Sequence, residues 1–225
     1  MTVEVTSAKN DDLPRTLNAA FLTQEVGMLV SLFTDPIELV GEVPVEIKGG
    51  AAWLRPLSPG EAEPLHTVFD AMSPESRYAR YLQGVASLTP GMIRVLTAVD
   101  GSDHVAWMAT IDDRPAGIGR YIKVDPCTAE IAFEVADEFH GRGLGAVLVD
   151  TITTIAAASG VRKLQAMVLA SNQRSRRLLS LVGLEVVRHD GGVLEAEGAF
   201  HLLERPQVNR SKVVRLAVPA CPAAA

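Results

Sequence analysis

The sequence predicts an α/β (α+β) domain built on a mixed, mostly antiparallel sheet. Residues 104–136 form three strand-like runs separated by short turns, which indicates an antiparallel meander. Residues 129–169 read as a strand, a long apolar helix and a second strand, which indicates a β-α-β unit. These two patterns in one chain favour a single sheet with helices packed against it.

The composition limits the kind of protein this is. The 225 residues, 48% of them hydrophobic, suffice for one globular domain with extensions. A formal net charge of −6 gives no overall attraction to nucleic acid or to an anionic membrane, so we expect neither as a partner. The two cysteines, Cys127 and Cys221, lie far apart, which argues against a disulfide framework or a multi-cysteine zinc site, and we expect no bound metal.

Changes of composition along the chain predict three parts. Residues 1–50 carry eight acidic and three basic side chains, and residues 21–33 have the spacing of an amphipathic helix, so we predict an N-terminal extension there. We predict the folded domain over residues 51–204 and a flexible, basic tail over residues 205–225. The chain begins without an apolar leader, and its apolar runs stay below the roughly 18 residues of a membrane helix. We therefore expect a soluble, cytoplasmic protein that is a monomer or a homodimer.

The domain is predicted to open with one strand and two helices. The run from Ala51 to Leu57 predicts a short strand, and Ser58 followed by Pro59 predicts a helix that starts there with Ser58 as its N-cap. A second helix is predicted after Ser73, with Pro74 at its first position. Both helices precede the meander.

The third strand of the meander carries two carboxylates. Its alternation places Glu130 and Glu134 on the face opposite Ile131 and Val135. We therefore expect both carboxylates to point away from the apolar core on the other face.

The remaining elements follow the glycine-rich segment 141–145. The apolar run 146–159 predicts a mostly buried helix that ends at Gly160, and residues 163–169 predict the next strand. A further helix is predicted to end at Gly183, and two strands around Asp190-Gly191-Gly192 close the domain.

The glycine-rich segment predicts an anion site. Because its glycines lack a Cβ, the backbone can turn its N–H groups towards a phosphate at the start of the following helix. Gly141, Gly143 and Ala146 also satisfy the G-x-G-x-x-G/A pattern of dinucleotide-binding folds, which keeps an NADP-dependent oxidoreductase as an alternative. Such folds place an acidic residue about 20 residues later, and residues 151–184 contain no Asp or Glu, so NAD itself is disfavoured.

The order of the elements resembles a different family. The segments FHGRGLGA and VLASNQRSRRLLSLVGLE resemble the GNAT superfamily of N-acetyltransferases, and the likeness covers residues 51–204. It implies a central sheet of six to seven strands, mostly antiparallel, with helices on both faces, and acetyl-CoA as the co-substrate. The run LRPLSPGEAEPLHTVFDAMSPESRYARYL is similar to bacterial protein-lysine acetyltransferase (Pat-like) GNAT domains.

The resemblance also implies which residues hold acetyl-CoA. HGRGLG matches the family's pyrophosphate loop, with His140 in place of the usual Gln or Arg. In the family, the strands before the loop and after the first helix splay apart, and the pantetheine arm lies between them. Backbone groups around Val135 to Asp137 would then contact the thioester, and Asn172 would contact the cofactor, cap its own helix, or do both. The implied cofactor-binding residues are Val135, Ala136, Asp137, His140, Gly141, Arg142, Gly143, Leu144, Gly145, Ala146, Asn172, Ser175 and Arg177.

The chemistry needs a base, because a lysine amine is protonated at neutral pH and must lose a proton before it attacks. Glu130 stands close to where lysine-modifying relatives carry a catalytic glutamate, and Glu134 is the alternative on the same face. Leu179 stands where many relatives have a tyrosine that protonates the leaving thiolate. Tyr121, Ser180 or water would have to replace that acid.

These features predict an N-acetyltransferase that moves an acetyl group from acetyl-CoA to a primary amine, either a protein lysine or a small amine. The amine would attack directly, with a Glu as general base. Two alternatives stay open at this point. The missing tyrosine favours a non-catalytic acyl-CoA-binding regulatory module, and the glycine pattern leaves the NADP-dependent oxidoreductase.

Overall fold

One eight-stranded sheet organises the molecule. A computed structural model describes residues 41–217, and the predicted helix over residues 21–33 lies outside them. The strands are β1 (Val43–Ile47), β2 (Gly50–Pro56), β3 (His104–Ile111), β4 (Arg114–Asp125), β5 (Thr128–Val135), β6 (Lys163–Leu169), β7 (Glu185–Asp190) and β8 (Val193–Ala199). The helices are α1 (Glu63–Asp70), α2 (Pro74–Tyr81), α3 (Pro90–Leu96), α4 (Leu144–Ala158), α5 (Gln173–Leu181) and α6 (Arg210–Ala217), and a short 3-10 helix covers Asp137–Phe139.

The strands lie in the order β1-β2-β3-β4-β5-β6-β8-β7. Every neighbouring pair is antiparallel except β5 and β6, which run parallel around the crossover helix α4. The predicted meander is therefore confirmed, and its first turn holds Asp112 and Asp113 at positive φ, as a two-residue hairpin requires. The mixed, mostly antiparallel sheet is confirmed too, with one strand more than expected.

The extra strand, β1, lies inside the segment predicted as an extension. Val43 and Val45 are buried and alternate with the exposed Pro44 and Glu46, so the segment has the period of a half-buried strand. The Lys48-Gly49-Gly50 stretch, which ends the predicted extension, instead turns the chain from β1 into β2. The sheet thus begins before residue 51.

The first helix begins later than predicted. Ser58 was expected to cap it, but α1 starts at Glu63, and Ser58 forms a turn in which its N–H donates to the Glu61 carboxylate at 2.9 Å. Gly60 between them has a φ of +78°, which interrupts a helix at this point, and Glu61 also pairs with Arg55 of β2. The predicted start of α2 is confirmed, since the Ser73 hydroxyl accepts from the Ser76 N–H.

Hydrophobic cores cover both faces of the sheet. On one face α4 packs against β3, β4 and β5, and on the other α1 packs against β4. Gly117 and Gly119 of β4 allow α4 to come close, because a Cβ at Gly117 would lie 3.1 Å from Leu148 and one at Gly119 would lie 3.0 Å from Ile152. This close contact fixes the start of α4, and with it the glycine-rich segment, relative to the central strands.

The C-terminal segment is more ordered than the flexible tail we predicted. Residues 210–217 form α6, which packs against α4, and its Val213 is fully buried. The buried Asp150 of α4 accepts hydrogen bonds from the N–H groups of Gln207 and Val208 and from the Arg210 guanidinium. One acidic residue inside an apolar helix therefore anchors a segment that composition alone marks as a solvated tail. Within residues 41–217, no helix has the length and apolar character needed to cross a membrane.

Candidate active site

The parallel strands β5 and β6 pair over only three positions, and the last of these is Glu130 opposite Gln165. Both strands continue well beyond this point, β5 to Val135 and β6 to Leu169, but they do so apart. A cavity of about 560 Å³ lies in the gap and is lined by residues of both strands, the glycine-rich segment, α2 and α5. The splay that the family resemblance implies is thus present between the expected strands.

Two peptide groups of β5 point into this gap. The Ala136 N–H donates to the Ala116 carbonyl on the β4 side at 2.9 Å. The N–H and C=O of one residue in a strand point to the same edge, and successive residues alternate between the two edges. The N–H and C=O of Phe133 and Val135 therefore point towards β6. The Val135 carbonyl already contacts His140, so an extended ligand between the strands would pair with the N–H and C=O of Phe133 and with the N–H of Val135.

The backbone of Ala136 and Asp137, which we expected to contact the thioester, is engaged elsewhere. The Asp137 N–H donates to the Ala71 carbonyl at 3.1 Å, and the Ala136 carbonyl accepts from Phe139 as the 3-10 helix begins. Neither residue lines the cavity. Val135 does line the cavity, so its contact with the thioester stays a prediction, and Phe133 replaces the two later residues because the chain turns into the 3-10 helix at Ala136.

The glycine-rich segment 141–145 forms one end of the cavity. Gly141 and Gly143 line it with φ values of +76° and +90°, and a Cβ on either would meet no other atom within 4 Å. These residues are therefore glycine because of the backbone conformation. No side chain caps α4 at Gly143, and while the Ala146 N–H donates to the Gly143 carbonyl, the N–H groups of Leu144 and Gly145 can still donate to a ligand.

Leu144, Gly145 and Ala146 also line the cavity. Gly145 differs from the other two glycines, because a Cβ there would lie 3.1 Å from Leu178 of α5. Its role is close packing of α4 against α5, whereas Gly141 and Gly143 shape the turn. The three glycines of the motif therefore serve two physical purposes.

The side chains of His140 and Arg142 do not point into the loop. The His140 Nε2 lies 3.0 Å from the Val135 carbonyl oxygen, and the ring donates there in its Nε2–H tautomer. Arg142 donates to the carbonyls of Lys48 and Gly49, and it does not line the cavity. Arg142 thus braces the loop from outside, whereas His140 contacts the β5 backbone and still lines the cavity.

Residues at the start of α5 form the wall opposite β5. Asn172 caps the helix, since its side-chain oxygen accepts from the Ser175 N–H at 3.1 Å. Its amide NH₂ remains available as a donor, so the two roles predicted for Asn172 are compatible. Ser175 and Arg177 line the cavity together with Arg174, while Arg176 points away and donates to the Ala170 carbonyl.

The two candidate bases have different environments. Glu130 is exposed and lines the cavity at the point where β5 and β6 part. Glu134 lies on the same face but is buried, with its carboxylate 2.7 Å from Arg80 and 3.6 Å from Arg120. The Glu134 carboxylate is therefore buried and already engaged by two guanidiniums, whereas Glu130 is open to the cavity, so the geometry favours Glu130.

Helix α2 crosses the gap and contacts both β5 and β6. It contributes Ser76, Arg80 and Tyr81 to the cavity, although none of its residues is buried. Sequence reasoning did not identify these site residues, because no local pattern shows that α2 lies across the splay.

The N-terminus of α2 is attached to the segment after β5. The Ser73 N–H donates to the Asp137 carboxylate at 3.1 Å. Burial alone would raise the pKa of Asp137, but hydrogen bonds from Ser76 and Ser73 and the nearby His140 outweigh it and hold the pKa below its usual value. The carboxylate therefore serves as an ionised anchor for α2.

The predicted substitutes for the missing acid lie elsewhere. Tyr121 is fully buried away from the cavity, and its hydroxyl donates to the Ser102 carbonyl at 3.0 Å. Ser180 lines a separate cavity beside β7. Leu179 lines the candidate site, so the position that would carry the tyrosine is correctly placed but apolar.

Comparison with known proteins agrees with this geometry. Residues 68–183 match the model of the acetyltransferase (GNAT) family. The solved GNAT domain of S. lividans PAT superimposes with a TM-score of 0.65 at 28% identity, over 72% of this chain and 98% of that one. The mixed sheet with helices on both faces is therefore the fold of a GNAT domain.

Two curated relatives are also similar. The protein named Acetyltransferase Pat from Mycolicibacterium smegmatis is 32% identical over 160 residues, which are 69% of this chain and 48% of the relative. The protein named Acetyltransferase PA5475 from Pseudomonas aeruginosa is 27% identical over 135 residues, 58% of this chain and 73% of the relative. The chain thus spans about half the length of the first of these. The family match disfavours the oxidoreductase alternative, and the chain belongs to the acetyltransferase (GNAT) family.

Proposed function

We propose that this chain transfers an acetyl group from acetyl-CoA to a primary amine, and that the amine is a protein lysine. The observation that carries the proposal is the gap between β5 and β6. It has a glycine-rich anion site at one end, peptide groups of β5 along one side, and the exposed carboxylate of Glu130 where the strands part. A thioester carrier with a phosphate group at one end matches this arrangement.

The residues around the gap fit acetyl-CoA in parts. The glycine turn and the N-terminus of α4 suit the pyrophosphate, since both present N–H groups to an anion. The N–H and C=O of Phe133 and the N–H of Val135 suit the amides of the pantetheine arm. Asn172, Ser175 and Arg177 lie where further polar groups of the same molecule would reach α5.

Glu130 is the proposed general base. Its carboxylate takes a proton from the incoming ammonium, directly or through one water, and the neutral amine nitrogen then forms a bond to the thioester carbonyl carbon. As that bond forms, negative charge builds on the carbonyl oxygen, and N–H groups of β5 directed into the gap stabilise it. The carbon–sulfur bond then breaks with its electron pair on sulfur, which leaves as a thiolate, and the second proton of the acylated nitrogen passes to water.

Proton return to the thiolate needs no side chain at Leu179. A thiolate is a moderately stable anion near neutral pH, since a free thiol ionises with a pKa of about 8.5. Water can therefore supply the proton after bond cleavage. This makes the absent tyrosine compatible with turnover, and it disfavours the non-catalytic alternative.

Exposed side chains beside Glu130 on the sheet support a lysine as the acceptor. Ile122, Gln165 and Met167 lie on the same face as Glu130, and Ile122 and Met167 are exposed. An extended aliphatic side chain such as lysine could lie along these apolar groups with its nitrogen at Glu130. The SPESRY run of α2, which is similar to Pat-like domains, borders the same cavity.

The test measures acetyl transfer itself. Release of free CoA thiol is followed with acetyl-CoA and, in turn, lysine-containing proteins, lysine peptides and small amines. The acceptor is then weighed by mass spectrometry for addition of one acetyl group. The proposal requires acetyl-CoA-dependent modification of at least one amine. Binding of acetyl-CoA without transfer to any acceptor would favour the regulatory module. Transfer to small amines alone would support the proposed reaction but contradict the proposed protein-lysine acceptor.

A further inference from the structure

Arg142 stands between two cavity-lining glycines, yet its side chain leaves the cavity. The Nε and Nη2 atoms of Arg142 donate to the carbonyl oxygens of Lys48 and Gly49, each at 3.0 Å. The Lys48 N–H donates back to the Arg142 carbonyl, also at 3.0 Å. Three hydrogen bonds therefore join the glycine turn to the tip of the β1–β2 hairpin.

The guanidinium is oriented for this contact. Nε and Nη2 form one edge of the planar group, the edge that binds two acceptors at once. Both acceptors here are carbonyls of a two-residue turn, which in an unbraced hairpin would face water. The Arg142 guanidinium also lies over the buried Phe139 ring, 5.6 Å from its centre, within the range of a cation–π contact.

The hairpin tip is shaped to receive the side chain. Gly49 and Gly50 have φ values of +82° and +145°, and a Cβ at Gly50 would lie 3.6 Å from Nη2 of Arg142. The tip therefore offers two carbonyls and no side chain at the point of contact. The hairpin itself lies outside residues 68–183, the part that matches the family.

We propose that Arg142 is a positioning residue, which holds the glycine turn in its anion-binding conformation by fixing it to the β1–β2 hairpin. This inference rests on the proposed function, because it gives the turn a CoA ligand. The alternative role for a basic residue in this motif is direct contact with a phosphate. The occupied edge of the guanidinium and its place outside the cavity oppose that role.

The turn depends on such a brace because of its glycines. A segment with Gly141, Gly143 and Gly145 loses much conformational entropy when it is ordered. If the turn were disordered without ligand, this entropy loss would reduce the free energy of ligand binding. A brace that orders the turn in advance improves affinity for the ligand without touching it. The effect should appear in binding and leave the chemical step unchanged.

The experiment compares Arg142→Lys with Arg142→Ala in the full chain. Lysine keeps the positive charge but cannot reach two carbonyls with a planar edge. We expect both variants to weaken CoA binding roughly tenfold or more, to raise KM for acetyl-CoA, and to leave kcat at saturation near the wild-type value. Arg94→Ala is the control, since it removes the same charge from an exposed position on α3.

Amide hydrogen exchange without ligand separates this inference from the proposed function. Both Arg142 variants should speed exchange of residues 141–145, whether or not CoA binds. If Arg142→Lys binds CoA like the wild type, the charge acts on the phosphate and the positioning role is overturned. Unchanged exchange in the unliganded variants would overturn it as well. A wild-type protein that does not bind CoA would instead contradict the proposed function.

Discussion

The guanidinium of Arg80 lies 2.7 Å from the carboxylate of Glu134, and this pair joins α2 to β5 at the wall of the cavity between β5 and β6. The Glu134 side chain is almost completely buried, and Arg120 approaches it from β4 at 3.6 Å. The Tyr81 hydroxyl lies 3.4 Å from the same carboxylate. Since α2 buries none of its own residues, this charged contact is a main attachment of the helix to the sheet.

Replacing Glu134 by Gln should therefore destabilise the protein. The substitution leaves two arginines facing each other without an anion in a buried place, and loss of one partner of a buried pair typically costs roughly 3 to 5 kcal/mol. Urea denaturation of the variant gives the change in unfolding free energy. Glu138→Gln is the matched control, because Glu138 pairs with Arg114 at an exposed site and should change stability by about 0.5 kcal/mol or less. Equal stability of the two variants would contradict this account of Glu134.

The glycine turn predicts a second outcome. Gly143→Ala introduces a Cβ at a φ of +90°, which strains the backbone by about 1 kcal/mol and displaces the turn that receives the pyrophosphate. We expect weaker acetyl-CoA binding, measured by calorimetry. Gly101→Ala carries the same conformational cost at a φ of +77° in an exposed loop outside the candidate-site cavity, so it should bind acetyl-CoA normally. Equal acetyl-CoA affinities of the two variants would show that the glycine turn does not contribute to acetyl-CoA binding.

The C-terminal helix provides a third test. Asp150→Asn leaves the Arg210 guanidinium without its anion and weakens two backbone hydrogen bonds, so the unfolding free energy should fall by roughly 3 kcal/mol. Arg205→Ala, at an exposed position in the same segment, should have little effect. Chemical denaturation of both variants measures the difference. A stable Asp150→Asn protein would mean that α6 is held by its apolar contacts alone.

Acid should weaken the fold through His104. Burial and the charge of Arg120 lower the pKa of His104 below its usual 6.5. The unfolded chain thus binds this proton more readily, so the stability contributed by neutral His104 is complete above about pH 6.5 and is lost as pH falls through the lowered pKa. Melting temperatures between about pH 5 and pH 7.5 should decline towards acid in the wild type and decline less in His104→Gln. Parallel declines would assign the acid sensitivity to other groups.

Local patterns predicted the elements whose periodicity is strong. The alternation of β5 placed Glu130 and Glu134 on one face, and the apolar run of α4 with its glycines placed the crossover unit correctly. These features depend on contacts within short stretches of chain. Sequence reasoning therefore reached the splayed strands and the glycine turn.

Contacts between residues far apart in the chain determine the features that local patterns did not predict. Glu134 is on the predicted face, but its burial depends on Arg80, which lies more than 50 residues earlier in the chain. The direction of Arg142 depends on a hairpin that starts at Val43, and the order of α6 depends on Asp150. The sequence around a basic residue in a phosphate motif or a tail does not show whether its side chain contacts solvent, a ligand or a buried partner.

The rate of acetyl transfer in Glu130→Gln tests the central claim most directly. Gln keeps the size of the side chain and removes the proton acceptor, so turnover with a saturating amine acceptor should fall roughly 10² to 10⁴-fold while acetyl-CoA affinity stays near the wild-type value. Glu195→Gln, a carboxylate on β8 at the same face of the sheet, should retain full activity. If Glu130→Gln turns over at the wild-type rate, Glu130 is not the base, and the proposed mechanism is wrong.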